Sequence, residues 1–321
     1  AFDWAGAAPP GDDFPAYGNY NLSPEQIIDG LNADPKDNLV QINHIASFFG
    51  TSGLAVDSGL TPPPSMTDLL SRRLDPSIGN GFDDGFDALE VWIGTNGRGG
   101  YIDEFLDQNA GDWFNLINQD IVRIGIANSD THERRFTKTS ARTLIASNTM
   151  APASLTTGAE TLAATVLAGK AVGTNVPFLL LEADGEYQSV AQQAGLGIND
   201  NTTMPADVGS DVLLTATVSV PAWAEVDKVE FYINNQPELV TVPPQDPRYS
   251  VCADASVAAG DAGWSAVNVV VDASVPGGSR TDITATLTLA GVTEDTWVVA
   301  LASGTDGVSE PLFPVLPADL N

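Results

Sequence analysis

His44 and His132 are the only imidazoles in a chain of 321 residues, and each follows a short apolar run that reads as a strand. Leu39-Val40-Gln41-Ile42-Asn43 delivers His44, and Ile121-Val122-Arg123-Ile124-Gly125-Ile126-Ala127 opens into Asn128-Ser129-Asp130-Thr131-His132. Residues i and i+2 of an extended backbone project to the same side, so Asp130 and His132 present a carboxylate and an imidazole together. That donor pair suits Zn, Mn or Fe and the hydrolysis such ions support. Ligands gather at the carboxyl ends of parallel strands, which places His44, Asp130 and His132 together as expected metal ligands. A lone histidine is more often structural. Two histidines and an aspartate in one topological position favour ligation.

The strands that must carry these groups alternate with helices. Ser23-Pro24-Glu25-Gln26 predicts a helix start ahead of Ile27, Ile28 and Leu31, ending before Asp34-Pro35. Ala88 to Gly94 predicts a second strand, and a helix through Phe105 and Trp113 to Ile117 precedes the strand at Ile121. Strand, helix, strand at this spacing indicates a βα repeat with a parallel sheet. Gly50 to Gly85, with Pro62-Pro63-Pro64, reads as a long decorated loop. Thr143 to Ala146 is a further candidate strand, and the Ala-rich stretch from Gly158 to Ala168 a further helix. Beyond about residue 206 helical periodicity gives way to strands at Asp211–Val220, Lys228–Asn234, Ala266–Ala273, Asp282–Leu289 and Trp297–Ala302. Short strands separated by Gly, Pro and Asn turns indicate a β-sandwich. The expected boundary lies in Gly195 to Pro205, dividing the chain into 1–200 and 206–321.

Composition narrows the partners. Asp and Glu number 42 against 13 Lys and Arg, a formal charge of -29, while 43% of the residues are apolar. The apolar content supports a packed core and argues against disorder. Phosphate binding draws on clustered Lys and Arg, so nucleic acid and anionic membrane surfaces are disfavoured. No apolar run is long enough for a transmembrane segment. Cys252 is the single cysteine, which excludes an intramolecular disulfide and a Cys-based zinc site. The chain starts at Ala1-Phe2-Asp3-Trp4 without a signal-like segment. A removed leader or a longer precursor is expected, and the expected location is extracytoplasmic, periplasmic or secreted.

Ile124-Gly125-Ile126-Ala127-Asn128-Ser129-Asp130-Thr131-His132 resembles the last metal-binding motif of the PHP metallohydrolases, the polymerase and histidinol phosphatase superfamily. Val40-Gln41-Ile42-Asn43-His44 resembles the earlier strand-end histidine motif. Phe86-Asp87-Ala88-Leu89-Glu90-Val91-Trp92 is similar to the strand between them in the branch typified by the carbaryl hydrolases. Leu167 to Phe178 is like the segment after the last motif in that branch, and Val220 to Glu230 resembles the appended β-domain of some members. The resemblance implies an α/β fold: the C-terminal part of a distorted (β/α) barrel of PHP type, followed by an all-β, sandwich-like domain.

The activity implied is metal-dependent cleavage of a small-molecule phosphoester, carboxyl ester or carbamate by a metal-activated water. His44, Asp130 and His132 would be ligands to divalent Zn, Mn or Fe. Arg98 and Arg123 are candidate anion clamps, and Glu90 is a candidate partner behind the ligands, with a solvent-facing carboxylate the competing reading. No residue is assigned as a nucleophile or a general acid or base. The family opens with a His-x-His strand, and no such motif precedes His44. A complementing N-terminal polypeptide, or additional sequence carrying His-x-His, is therefore expected. The competing expectation is a non-catalytic extracytoplasmic binding or assembly protein on a degenerate scaffold.

Overall fold

Pro24 opens helix α1 (Pro24–Asn32), with Glu25 in its first turn, and the chain leaves the helix ahead of Asp34-Pro35. The computed structural model describes residues 24–33, 39–45, 83–93, 109–119, 121–129, 141–145, 159–167, 171–184, 209–222, 224–235, 238–242, 246–270, 278–294, 296–304 and 315–317. Three strands, β1 (Gln41–Ile42), β2 (Ala88–Ile93) and β3 (Ile124–Asn128), form a parallel sheet in that order. Gln41 pairs with Ala88, and Ala88 in turn with Ile124.

Helix α2 (Ala110–Ile117) separates β2 from β3 in sequence and is buried along its whole length. Its Trp113 lies across β3 where residue 125 has no side chain. A Cβ at Gly125 would sit 2.8 Å from the Trp113 ring. The indole N–H is satisfied by the Arg123 carbonyl at 2.8 Å. A glycine inside a strand here marks a close approach between elements.

The parallel repeat ends at β3, and this corrects the expected fold class. Strands account for 53% of the described residues and helices for 16%, with no closed barrel. The distorted (β/α) barrel of the sequence reading is not formed. The next elements are β4 (Arg142–Ile145), α3 (Ala159–Leu167), β5 (Ala171–Thr174) and β6 (Phe178–Asp184). Their strands pair antiparallel: β4 with β5, and β6 with β7 (Ser210–Pro221). The physical reason for the misreading is that Ala171-Val172-Gly173-Thr174 and Phe178-Leu179-Leu180-Leu181 are continuous apolar runs. The first is buried on both faces and the second only at Leu179 and Leu181, yet both read as apolar runs that occur in either strand orientation, and periodicity does not tell them apart.

The remaining strands are β8 (Lys228–Ile233), β9 (Glu238–Val242), β10 (Asp246–Ser250), β11 (Ala255–Ala258), β12 (Trp264–Val270), β13 (Ser279–Val292), β14 (Val298–Ser303) and β15 (Val315–Pro317). Among the described residues a six-stranded sheet has the order β11-β8-β14-β15-β5-β4, a four-stranded sheet the order β12-β13-β7-β6, and β9 and β10 form a two-stranded pair. Both larger sheets draw strands from either side of residues 195–205, a segment outside the described residues.

The six-stranded sheet is covered on both faces. Val229, Phe231, Val298, Ala300 and Ala302 share one apolar core with Leu214, Ala216, Val218, Ile283 and Ala285 of the four-stranded sheet. Alternate residues Tyr232, Val299 and Leu301 belong to a second core with Trp113, Phe114, Leu89 and Ile126. Period-two alternation therefore feeds two cores from one sheet. Phe114 stacks within 4.8 Å of Trp297 and 5.5 Å of Tyr232, tilted as aromatic quadrupoles prefer. Trp297 lies in this second core.

Thr143 of β4 joins the parallel sheet to the six-stranded one. Its hydroxyl donates to the Ala127 carbonyl at 2.8 Å and accepts the Ala127 N–H at 3.0 Å, standing in for a strand partner at the edge of β3.

Gly125→Ala is expected to destabilise the protein by about 1–3 kcal/mol, because the added methyl overpacks against a fully buried indole. The urea midpoint measures it, and an unchanged midpoint would mean that Trp113 moves aside freely.

Candidate functional site

At the carboxyl end of the parallel sheet the Glu90 side chain is 3% exposed and His44 beside it 56% exposed. Strand β2 carries Glu90 between the other two strands. Its Oε2 accepts the His44 backbone N–H at 2.8 Å, and its Oε1 accepts an N–H from Asn128 Nδ2 at 3.1 Å. One carboxylate on β2 therefore ties the end of β1 to the end of β3. The His44 ring is also turned toward it, with Nδ1 3.6 Å from Oε2, beyond hydrogen-bond reach but within ion-pair distance when the ring is protonated.

His44 sits at φ 53°, in the left-handed region. A side chain there costs roughly 1–2 kcal/mol through its Cβ, and the bond to a buried carboxylate offsets that cost. The conformation aims the N–H at Glu90 and holds the imidazole at the mouth of the sheet. Strain of this kind persists only where surrounding structure enforces it, and it concentrates at functional sites.

A register slip also shapes the site. Glu90 pairs with Ile126, but Trp92 pairs with Ala127 where unbroken alternation would give Asn128. The extra residue is Val91. The slip leaves Glu90 and Asn128 in mutual contact and moves Trp92 onto the phase of Ala127, re-aiming side chains as bulges beside sites do.

Of the residues singled out in the sequence, His44 and Glu90 are brought together. Asp130, His132 and Arg98 lie outside the described residues. In sequence Asp130 and His132 follow Asn128, the last residue of β3, by two and four positions. Arg123 precedes β3, so it stands at the amino end of the sheet, away from Glu90. There its guanidinium donates to the carbonyls of Val122 and Asp84 and lies 5.5 Å over the Phe86 ring. Burial pulls the Arg123 pKa down, while Asp84, Asp87 and Asp83 push it up. These contacts make it part of the packing beneath the sheet.

Asp87 is at that same amino end and was not singled out in the sequence. Its Oδ2 accepts the Val40 N–H at 2.8 Å, and the Asp87 N–H donates to the Val40 carbonyl at 2.8 Å, which fixes where β1 enters. Burial holds the Asp87 carboxyl above the usual carboxylate range, against the Val40 bond and the Arg123 charge, which lower it. Asn128 was likewise not assigned a role. The signal available was its place as the last strand residue before Asp130-x-His132.

The donors suit a borderline divalent ion in kind. Among the described residues each Glu90 oxygen accepts one hydrogen bond, and His44 offers an exposed imidazole. They are too few by themselves: among the described residues no group of three or more His, Cys, Asp or Glu forms a metal-sized cluster. Among the same residues no helix is long and apolar enough to cross a membrane. What the fold defines is a β-rich protein in which antiparallel sheets carry a short parallel sheet with a buried carboxylate at its carboxyl end. The chain matches no family model, no curated protein and no solved structure.

The Asp87 environment sets a pH dependence. A carboxyl whose folded pKa is raised contributes stability that is complete below its unfolded value and is lost as pH rises through the folded value. Asp87→Asn keeps an acceptor for Val40 and cannot ionise. Relative to wild type it is expected to gain in Tm as pH rises from about 3 to about 7. A Tm difference that stays constant over that range would contradict the assignment.

Proposed function

We propose that the carboxyl end of the β1-β2-β3 sheet is a divalent-metal site for hydrolysis of a small-molecule ester or phosphoester. The observation that carries the reading is the pairing of a buried Glu90 carboxylate with a strained, outward-facing His44 at the end where parallel strands gather ligands. His44 and Glu90 would hold the ion together with Asp130 and His132, which follow β3 in the sequence. Zn, Mn or Fe all suit imidazole and carboxylate donors. Bound there, such an ion would lower the pKa of a coordinated water toward neutrality.

The chain's own residues account for positioning. Asn128 orients the Glu90 carboxylate through Oε1, and the His44 N–H fixes Oε2, so its remaining lone pairs are held in place. Four donors would leave the site short of the ligand set that the PHP resemblance implies. A complementing polypeptide or further sequence carrying His-x-His belongs to this reading, as does an extracytoplasmic location. The barrel does not.

One observation favours a second reading. Both Glu90 oxygens already serve strand-end hydrogen bonds, a sufficient structural role for that carboxylate. On this reading the chain is a non-catalytic extracytoplasmic binding or assembly protein, and Glu90 is a tie between strands.

Calorimetric titration of the metal-stripped chain with Zn²⁺ and with Mn²⁺ separates the two. Saturable binding is expected, weakened by at least about tenfold in His44→Ala and in Glu90→Gln, each loss equivalent to about 1.4 kcal/mol. Aryl phosphate and aryl ester hydrolysis should track metal loading once any His-x-His partner is restored. Absence of binding, with Glu90→Gln lowering only the Tm, would leave the structural reading standing.

A further inference from the structure

Among the described residues β3 is an outer strand of the parallel sheet, paired with β2 on one side. On its other side the main chain of Ala127 meets a side chain. The Thr143 hydroxyl accepts the Ala127 N–H at 3.0 Å and donates its own proton to the Ala127 carbonyl at 2.8 Å. Ala127 is fully buried, so both of these groups need that partner. Thr143 is not free to follow a movement of β3, because its main chain is paired with Gly173 of β5 inside the six-stranded sheet. One hydroxyl therefore pins the end of the parallel sheet to a strand of the antiparallel one.

The pinned residue adjoins the site. Asn128 follows Ala127 directly, and its Nδ2 donates to Glu90 Oε1 at 3.1 Å. The two residues share a rigid, planar peptide unit, so a shift of Ala127 is carried into Asn128. At 3.1 Å the bond to Glu90 is already near the long end of its range, and a further shift of about 0.5 Å would break it. Asp130, an expected ligand, follows Ala127 by three residues, within about 11 Å of extended chain. The same pin thus sets the point from which the chain leaves β3 toward Asp130.

We propose that Thr143 is a positioning residue for the Glu90 site: through Ala127 it holds Asn128 against Glu90 Oε1, and so fixes how that carboxylate is presented to a divalent ion. Only the last step rests on the proposed function; the hold on Asn128 needs no metal. Valine has the shape of threonine without its hydroxyl. Thr143→Val would leave the Ala127 N–H and carbonyl buried without partners, and the strand end would shift to regain them. Serine keeps the hydroxyl and with it both bonds.

Two measurements on the full chain test this, with circular dichroism checking that each variant folds. By NMR of the metal-free protein, the Asn128 side-chain proton bonded to the Glu90 carboxylate should resonate downfield of a free amide. Thr143→Val should move it upfield, and Thr143→Ser should leave it near its wild-type position. By calorimetric titration, Zn²⁺ affinity should fall about tenfold in Thr143→Val, as it does when partners behind metal ligands are lost, and recover in Thr143→Ser. A role confined to stability would lower the Tm of Thr143→Val and move neither readout. An unmoved Asn128 proton, or wild-type Zn²⁺ affinity in a folded Thr143→Val, would overturn the proposal. So would rapid hydrogen exchange at the Ala127 N–H of the wild type, which needs no variant. If the wild type takes up no Zn²⁺ while the Asn128 proton still responds to Thr143→Val, the metal reading of the site falls and the hold of Thr143 on Asn128 stands.

Discussion

Strand β14 has no solvent-facing side. All six residues from Val298 to Ser303 are buried, so the six-stranded sheet must be covered on both faces, and every other layer is arranged to meet that demand. Val298, Ala300 and Ala302 are covered by the four-stranded sheet, Val299 and Leu301 by the core that contains α2. At about 25 cal/mol per Å² of apolar surface, leaving either face open would cost more than a domain's net stability. The parallel sheet and α2 therefore close a core that the antiparallel strands leave open.

This dependence explains the polar contacts around α2. Asn118, just past the helix, donates to the Asn235 carbonyl at 3.1 Å and accepts the Trp297 indole N–H at 2.8 Å. Trp297 in turn donates its backbone N–H to Asn234 Oδ1 at 2.9 Å. A buried indole N–H left alone would carry a desolvation penalty of about 1–3 kcal/mol, so these bonds allow the large aromatic group to fill the space above Phe114. Thr143 plays the same part at the edge of β3. The carboxyl end of the parallel sheet is thus held by a rigid, fully packed layer, the condition under which a strained residue such as His44 can be maintained.

Local structure was legible where the signal was chemical. Pro24 and Asp34-Pro35 bound α1, the Ala-rich run gave α3, and the strands at β7, β8, β13 and β14 were readable from alternation and turn residues. The strands that carry His44 and Glu90 were also readable, His44 as an expected ligand with Asp130 and His132 and Glu90 as a carboxylate that could equally face solvent, a position its 3% exposure excludes. What the sequence withheld was the pairing partner of each strand. Thr143-Leu144-Ile145 and Ala171-Val172-Gly173-Thr174 carry no mark that separates the next strand of a parallel barrel from an antiparallel strand of a six-stranded sheet. They pair with each other across α3, and β5 pairs in turn with β15 more than a hundred residues away, and such non-local pairing leaves no local periodicity. Resemblance to a barrel family filled that gap with the wrong architecture.

The two residues missed in the sequence, one at each end of the parallel sheet, share a second physical cause. Asn128 and Asp87 act through hydrogen bonds to groups 38 and 47 positions away, and neither is of a type or spacing that announces it. The Val91 slip is equally silent, because inserting one valine into Ala88-Leu89-Glu90-Val91-Trp92-Ile93 looks like ordinary apolar sequence. Without that slip, Trp92 would take the register position opposite Asn128, on the same face as Glu90, and an indole would compete for the space in which Glu90 and Asn128 meet. The carboxylate that organises the strand ends is thus available because one extra residue changes the phase of β2. Its chemistry is a consequence of register, and register is set by the packing of β3 against α2 and β4.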